Sequence, residues 1–272
     1  MTGLIDGLIL YLNFGQIGDY CRLLFDNFLK YTNYNLNIVK DYEIKSNKYI
    51  NNSIELLIDR KNDNSDALIN YMKSTNINFF HCLNNGFSIP KNYNFNYIIS
   101  ISNLMPLYIE ELCNQDYLFK FFNKFPYSIL SSENIVCPSR SCKTDLLNKF
   151  SMNSEKIIVN YGVLSDFFTP QDKFISSIYI NSKFDINEQY IFFYGDFHKR
   201  KNLEQIIDIF MDIKKIVKNI TLVIGTNSFR DREYLNSLEN LIRRFNMIDS
   251  IFLLENLNEL DLLYLLNNAF FL

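Results

Sequence analysis

The chain has 272 residues, of which 48% are hydrophobic, and its formal net charge is −3. This length suits one large domain or two ordinary domains with a sizeable core. A nucleic-acid-binding protein is not expected, because such proteins carry a basic excess. A membrane-spanning protein is not expected either, since no apolar run approaches the roughly 18 residues that a span needs.

The first residues, MTGLIDGLILYLNF, are apolar but lack the basic start of a signal peptide and include Asp6. The sequence therefore predicts a cytoplasmic protein. The five cysteines are an odd number without a zinc-binding spacing, which favours structural thiols in a reducing compartment. With only two histidines, His81 and His198, a histidine-rich metal site is excluded, and we predict no metal.

Strand-like apolar runs alternate with helical patterns in the first part of the chain, which is typical of βαβ units and parallel sheets. The predicted strands lie at 4–12, 36–40, 77–83, 97–102, 134–139 and 156–162. The predicted helices lie at 17–30, 108–124 and 140–150. A polar stretch at 171–187 interrupts this series and suits a linker.

A second alternating series follows the polar stretch. Its predicted strands lie at 190–195, 220–225, 251–255 and 269–272, and its predicted helices at 203–218, 231–245 and 258–267. Two consecutive series indicate two Rossmann-like lobes. The predicted organisation is a lobe at residues 1–165, a linker at 166–188 and a second lobe at 189–272.

The turn YGDFHKRKNL (194–203) places four basic residues between a strand and a helix. Ligands of open α/β sheets bind beyond the carboxyl ends of the strands, and a helix N-terminus favours phosphate. Gly195 lets the backbone approach a ligand, and Asn202 with Gln205 is in register for a capping box. Lys201 and Arg200 add positive charge. A solvated charge run, with His198 as an ordinary turn histidine, is the alternative.

A glycine-containing loop, NFGQIGDY (13–20), holds the equivalent place in the first lobe. Gly15 and Gly18 bracket a turn that leads into the first helix. Cys21 occupies the third glycine position of the dinucleotide fingerprint, so a nicotinamide-dependent oxidoreductase is not favoured. A plain tight turn is the alternative interpretation of this loop.

Five stretches together resemble the group 1 glycosyltransferases of the GT-B fold, especially mannosyltransferase-like members. They cover nearly the whole chain, and their order and spacing are more specific than any single stretch. They are LIDG (4–7) with GQIGDY (15–20), FHCLNNGFSIP (80–90), NIVCPSRSCKTDLLNKF with KIIVNYGVLSDFFTP (134–170), YGDFHKRKNLEQIIDIF (194–210) and FLLENLNELDLLYLLNNAFFL (252–272). The resemblance implies an α/β fold with two Rossmann-like lobes of the GT-B type, the second of them incomplete.

The activity that this resemblance implies is the transfer of a sugar from a nucleotide-diphosphate sugar to an acceptor. The enzyme would be a metal-independent, retaining hexosyltransferase, and the nucleotide sugar would be its co-substrate rather than a cofactor. A glycan, a lipid-linked molecule or a protein would be the acceptor, and attachment at the periphery of a membrane is compatible with such acceptors.

The resemblance also implies roles for individual residues, although it assigns no catalytic residue. Lys201 would hold the donor diphosphate, supported by Arg200 and by the close approach that Gly195 allows. The backbone of Glu255, Asn256 and Leu257 would flank the nucleotide base. The cleft loop that faces the transferred sugar would consist of Gly15, Gln16, Ile17 and Gly18. The sugar or acceptor side would include Ser102, Asn103 and His81.

Three departures from the family pattern matter for the function, and two of them, at Ser102–Asn103 and in the missing acidic segment, favour an alternative. Ser102 and Asn103 stand where the family usually has His-Asp, and Asp196 stands where many relatives have arginine. The family also continues into a segment with two glutamates seven residues apart, so the expectation is a fragment or a shortened form that ends in an unfinished strand. The alternative is a non-catalytic relative that binds a nucleotide or a partner enzyme. The missing segment also raises the expectation of a partner chain that supplies the missing C-terminal elements. A nucleotide-sugar epimerase of the same fold finds no supporting acid–base constellation.

Overall fold

The computed structural model describes residues 2–7, 10, 16–31, 35–40, 53–55, 66–162, 165–226 and 232–272. The chain forms two compact units, unit 1 at Met1–Leu164 and unit 2 at Ser165–Leu272. Both are built on parallel sheets, as the alternation of strand-like and helical patterns predicts.

Unit 1 contains a seven-stranded parallel sheet with the strand order β3-β2-β1-β4-β5-β6-β7. The strands are β1 (Thr2–Asp6), β2 (Asn35–Lys40), β3 (Ser53–Glu55), β4 (Phe79–Cys82), β5 (Tyr97–Ser100), β6 (Asn134–Cys137) and β7 (Ile157–Val159). The strand order reverses its direction between β1 and β4. This is the position at which doubly wound α/β sheets open a crevice beyond the carboxyl ends of their strands.

The helices of unit 1 are α1 (Gln16–Tyr31), α2 (Asp66–Ser74), α3 (Gln115–Ser131) and α4 (Arg140–Lys149). The helix predicted at 108–124 is displaced. Two short 3₁₀ turns, at Met105–Leu107 and Glu110–Leu112, precede it, and Asn114 then caps α3 by accepting backbone N–H groups of Asp116 and Tyr117. The helix predicted at 140–150 is confirmed, and Ser139 caps it through the N–H of Cys142 at 3.1 Å.

The core of unit 1 covers both faces of its sheet, because alternate strand residues point to opposite sides. One face packs Leu4 and Phe80 against Phe121 and Phe125, among others. The opposite face packs Ile5 and its neighbours under α1. Burial on both faces explains why the strands read as nearly continuous apolar runs.

Unit 2 contains a three-stranded parallel sheet with the order β10-β9-β8. The strands are β8 (Gln189–Tyr194), β9 (Ile220–Gly225) and β10 (Ile251–Leu254). The helices are α5 (Lys173–Phe184), α6 (Leu203–Ile216), α7 (Arg232–Arg244) and α8 (Glu259–Asn268). Every residue of the central strand β9 is buried. The predicted strand and helix positions of this series agree closely with the observed ones, except at residues 269–272.

The segment 166–188, expected to be a linker because of its polar composition, contains helix α5. Asp172 caps α5 at its start, and Asp185 ends it in the left-handed conformation with φ 56°. The helix packs against α8: the ring centroids of Tyr179 and Tyr264 lie 4.5 Å apart. Lys183 forms an ion pair with Asp261 at 2.5 Å. A narrow stripe of buried residues, including Ser176 and Ile180, therefore holds a helix in place, although the polar residues on its outer face resemble those of a linker.

The segment 269–272, predicted as a strand, makes only one isolated parallel bridge, between Ile191 and Phe271. The N–H of Phe270 donates to the carbonyl of Tyr190 at 2.9 Å, and the N–H of Phe192 donates to the carbonyl of Phe271 at 2.8 Å. These bonds place the segment along the edge of β8. Phe270, Phe271 and Leu272 are all largely exposed.

The five cysteines all carry free thiols, and Cys21, Cys82 and Cys137 are buried. Within the described ranges, no cluster of three or more histidine, cysteine, aspartate or glutamate side chains could hold a metal ion. Among the helices of those same ranges, none has both the length and the hydropathy required to cross a bilayer.

Candidate functional site

The carboxyl edge of the unit 2 sheet collects the two segments that the sequence analysis assigns to the donor. Tyr194, Gly225 and Leu254 are aligned in the strand register and end their strands at one level. The segments beginning at Gly195 and Glu255 therefore leave the sheet at the same edge. Ligands of open α/β sheets bind at this kind of edge.

A short 3₁₀ turn, Lys199–Lys201, follows the first of these strand ends. Nδ1 of His198 accepts the backbone N–H of Arg200 at 3.2 Å, and the carbonyl of His198 accepts the N–H of Lys201 at 2.8 Å. The N–H of Asn202 bonds to the carbonyl of Lys199 at 3.0 Å. His198 thus fixes the turn that carries the three cations, which is a more specific position than that of an ordinary exposed histidine.

The side chain of Lys201 lies across Gly195, at the end of β8. Its Cε is 3.5 Å from the point that a Cβ on Gly195 would occupy. Burial lowers the pKa of Lys201, the charge of Arg200 lowers it further, and Asp196 opposes both. Among the described residues, no carboxylate forms an ion pair with Lys201. This half-buried ammonium therefore has the charge and the position to pair with an anion.

Arg200, the second predicted phosphate ligand, has a carboxylate partner inside the turn. Its Nη2 lies 2.7 Å from Oδ2 of Asp196, four residues earlier. The pair is internally neutral, so the guanidinium contributes less net attraction for an anion than Lys201. The residue that departs from the family pattern, Asp196, is thus the partner of Arg200.

The predicted capping box at the start of α6 is wrong. Asn202 adopts the left-handed conformation with φ 51° and makes no side-chain cap, and its amide donates instead to Oε1 of Gln205 at 2.7 Å. The backbone N–H of Leu203 donates to the hydroxyl of Tyr234 at 3.2 Å, and that of Gln205 to the carbonyl of Asn202 at 3.2 Å. The protein thus uses these two N–H groups itself, so they are less available to an anion than the sequence predicts.

The predicted nucleotide-flanking segment, Glu255 to Leu257, is only partly open. Leu257 is buried and packs against Gly225, and its backbone N–H donates to the carbonyl of Thr226 at 2.9 Å. Asn256 is exposed and left-handed, with φ 54°. Leu257 therefore belongs to the core, and within this segment Glu255 and Asn256 are the residues that reach solvent.

In unit 1, the structure brings Ser102 and Asn103 together in one hydrogen-bond network. The N–H and the hydroxyl of Ser102 both donate to Oδ1 of Asn85, at 2.7 and 3.0 Å. The amide of Asn85 donates to the hydroxyl of Tyr117 at 3.1 Å, and this hydroxyl donates to Oδ1 of Asn103 at 3.3 Å. Asn85 is fully buried. Neutral groups that satisfy one another thus occupy the positions where the family usually has His-Asp.

His81 belongs to a different contact in unit 1. Its Nε2 lies 2.9 Å from Oγ of Ser100 on the neighbouring strand. Burial lowers the pKa of His81 to about 4, so the imidazole is neutral at pH 7. The structure therefore does not join His81 to the network of Ser102 and Asn103.

The predicted cleft loop lies mostly inside a helix. Gly15 is outside the described residues, but α1 begins at Gln16, so Gln16, Ile17 and Gly18 form its first turn. Gly18 is buried. The glycines indicate a turn at this place, but a helix can start one residue earlier than its apolar periodicity shows.

Sequence reasoning missed two residues that organise these edges, Asn85 and Tyr234. Asn85 precedes Gly86, and both have positive φ, of 50° and 74°. The Asn-Gly pair is a recognisable signal for such a turn. Tyr234 carries no comparable signal, because its contact with the start of α6 spans 31 residues of the sequence.

Residues 179–272 match the family model of the glycosyl transferases group 1. The matched residues span most of unit 2 and include both strand-end segments described above. No curated protein matches the sequence.

The fold is similar to that of several solved structures. A glycosyltransferase from Rickettsia africae ESF-5 has a TM-score of 0.72 at 16% identity, with 98% of this chain and 71% of that chain covered. Anabaena Alr3699/HepE in complex with UDP-glucose has a TM-score of 0.69 at 11% identity, with coverages of 99% and 72%. The UDP-GlcNAc 2-epimerase from Methanocaldococcus jannaschii has a TM-score of 0.53 at 13% identity, with coverages of 99% and 77%. The predicted α/β fold with two Rossmann-like units of the GT-B type is confirmed.

Proposed function

We propose that the chain acts as a glycosyltransferase that takes a hexose from a nucleotide-diphosphate sugar, with unit 2 binding the donor and unit 1 serving the acceptor. The observation that supports this most strongly is the position of Lys201 within the segment that matches the group 1 family model. This ammonium is half-buried, lies at a strand end and has no carboxylate partner among the described residues. Such a group suits a diphosphate.

The proposed role of this site is to stabilise the leaving group, which is the nucleotide diphosphate. As the bond from the sugar to the nucleotide diphosphate breaks, negative charge grows on the phosphate and the sugar becomes oxocarbenium-like. A preorganised cation at the phosphate lowers this barrier without a metal ion. Lys201 would supply the charge and the rigid turn behind it would supply the position, while Arg200, neutralised by Asp196, would support it. We also propose that the transferred sugar keeps its anomeric configuration.

Calorimetric titration of the chain with UDP and with GDP tests the donor site. Lys201→Ala should weaken binding of the preferred nucleotide about tenfold or more, because a charged hydrogen bond contributes roughly 1.5–3 kcal/mol. Lys199→Ala is the matched control, since Lys199 is an exposed lysine of the same turn. It should change the affinity no more than about threefold. Equal affinities for the wild type and Lys201→Ala would refute the proposed donor site.

A non-catalytic relative that binds a nucleotide or a partner enzyme is the second candidate. The neutral, mutually satisfied network of Ser102, Asn103 and Asn85 favours it, because these groups offer no proton acceptor or charge to a reacting sugar. Release of UDP or GDP from sugar donors by the purified chain separates the candidates. Steady turnover supports the transferase, and nucleotide binding without turnover supports the relative.

A further inference from the structure

Tyr234 connects the start of α7 to the start of α6, beside the proposed donor site. Its side chain lies in the core of unit 2 and is 2% exposed. Its hydroxyl accepts the backbone N–H of Leu203 at 3.2 Å and donates to Oε2 of Glu204 at 2.6 Å. One buried hydroxyl thus holds both the first amide of α6 and the first carboxylate of that helix.

Glu204 is a potential competitor for the cation of the donor site. It lies three residues after Lys201, with only Asn202 and Leu203 between them. A carboxylate within one turn of an ammonium can form an ion pair with it, and the pair would then exclude a phosphate. The hydroxyl of Tyr234 donates instead to one oxygen of this carboxylate, Oε2, at 2.6 Å.

We propose that Tyr234 is a positioning residue of the donor site, which holds the Glu204 carboxylate away from Lys201 and so keeps the ammonium available for the donor diphosphate. This inference rests on the proposed function of Lys201. The interaction is charge-assisted and buried at the tyrosine, which makes it stronger than a surface hydrogen bond. The same hydroxyl fixes the first amide of α6, so the test must separate the effect of charge from that of geometry.

Calorimetry with UDP and GDP on four proteins makes this separation: wild type, Tyr234→Phe, Glu204→Gln and the double variant. Tyr234→Phe should weaken binding about three- to tenfold, because the released carboxylate pairs with Lys201. The double variant should return to within about twofold of Glu204→Gln, because the released group is then neutral. A purely structural role predicts that the double variant stays as weak as Tyr234→Phe, and this result would overturn the proposal.

Glu204→Asp provides a second route that leaves the core intact. The shorter side chain keeps its charge but is withdrawn from the Tyr234 hydroxyl, so it should weaken binding in the same direction as Tyr234→Phe. If circular dichroism shows that Tyr234→Phe does not fold, Glu204→Asp becomes the deciding variant. Unchanged affinity in Glu204→Asp would then count against the proposal.

The outcomes for Tyr234 and for the donor site are distinguishable. Absence of UDP and GDP binding by the wild type, or full binding by Lys201→Ala, would refute the donor site itself. Binding that requires Lys201 but is unchanged in Tyr234→Phe would refute the positioning role alone.

Discussion

The carboxyl edges of the two sheets carry opposite kinds of polar group. At the edge of the seven-stranded sheet, Asn85, Ser102 and Tyr117 are neutral and bonded to one another, and Asn85 is fully buried. At the edge of the three-stranded sheet, Lys201 and Arg200 are cations on a short turn, and among the described residues only Arg200 has a carboxylate at ion-pair distance.

This difference predicts which property, stability or anion affinity, a substitution reduces at each edge. A closed, neutral network is costly to disturb, because any buried group left without a partner loses its hydration as well as its hydrogen bond. An open, charged turn can lose a side chain at little cost to folding but at a large cost to anion binding. Changes at the first edge should therefore appear as lost stability, and changes at the second as lost affinity.

The largest expected effect is that of Gly86→Ala, next to Asn85. Gly86 has a φ of 74°, and a Cβ on it would lie 2.5 Å from Cβ of Ser128. We expect a loss of about 3 kcal/mol in the free energy of unfolding of unit 1, from backbone strain and overpacking together. Hydrogen exchange measured on peptides from residues 66–162 would report it.

Gly162→Ala is the matched control for this substitution. The nearest atom to its added Cβ would be Cδ2 of Tyr20 at 3.4 Å, an ordinary contact, and the position is exposed. We expect it to cost less than about 0.5 kcal/mol. Similar losses in both variants would show that the edge of unit 1 is not tightly packed.

Acid should destabilise unit 1 through His81. Its folded pKa of about 4 lies below the value of about 6.5 for an unperturbed histidine, so the unfolded chain takes up a proton between these pH values. The contribution of His81 to the free energy of unfolding is therefore complete above pH 6.5. It falls by roughly 3 kcal/mol as the pH drops towards 4.

Urea unfolding of the wild type and His81→Gln at pH 7 and pH 4 checks this expectation. Because carboxylates titrate in the same window, the relevant quantity is the difference between the two proteins. His81→Gln should lose less stability on acidification, and an identical loss would mean that His81 is accessible to protons in the folded state.

The smallest expected effects belong to the ion pair of Arg200 and Asp196. Since the pair is neutral and partly exposed, Arg200→Ala should weaken UDP or GDP binding by about threefold at most. Asp196→Asn should strengthen it by a similar factor, because Arg200 then acts as a free cation. A loss in Arg200→Ala as large as that in Lys201→Ala would show that the guanidinium binds the phosphate directly.

The alternation of strands and helices could be predicted from the sequence because burial on both sheet faces produces long apolar runs. β8, β9 and α6 lie within two residues of their predicted bounds. Helix α5 was missed because its buried positions are few and partly small, as at Ser176. The cap at Asn202 failed because this asparagine is left-handed and its side chain bonds to the side chain of Gln205 instead of to a backbone N–H, which local composition does not reveal.

The candidate site was less predictable than the fold, because its side-chain contacts leave no pattern in the sequence and most of them join distant residues. The cations at Arg200 and Lys201 are visible in the sequence, but the pairing of Arg200 with Asp196 and the contact of Tyr234 with Glu204 are not. Asn85 and Ser102 are 17 residues apart, and only the parallel pairing of β4 with β5 brings them together. Such contacts depend on sheet register, which is a tertiary property.

The docking of α5 on α8 has a consequence for the order of folding during synthesis. Tyr179 and Asp261, which bond at 2.7 Å, are 82 residues apart, so α5 leaves the ribosome long before its partner exists. The strands and helices between them can form and assemble meanwhile, since their contacts are more local. The earliest helix of this half of the polypeptide is therefore among the last to settle, and until then its apolar stripe is a natural target for chaperones.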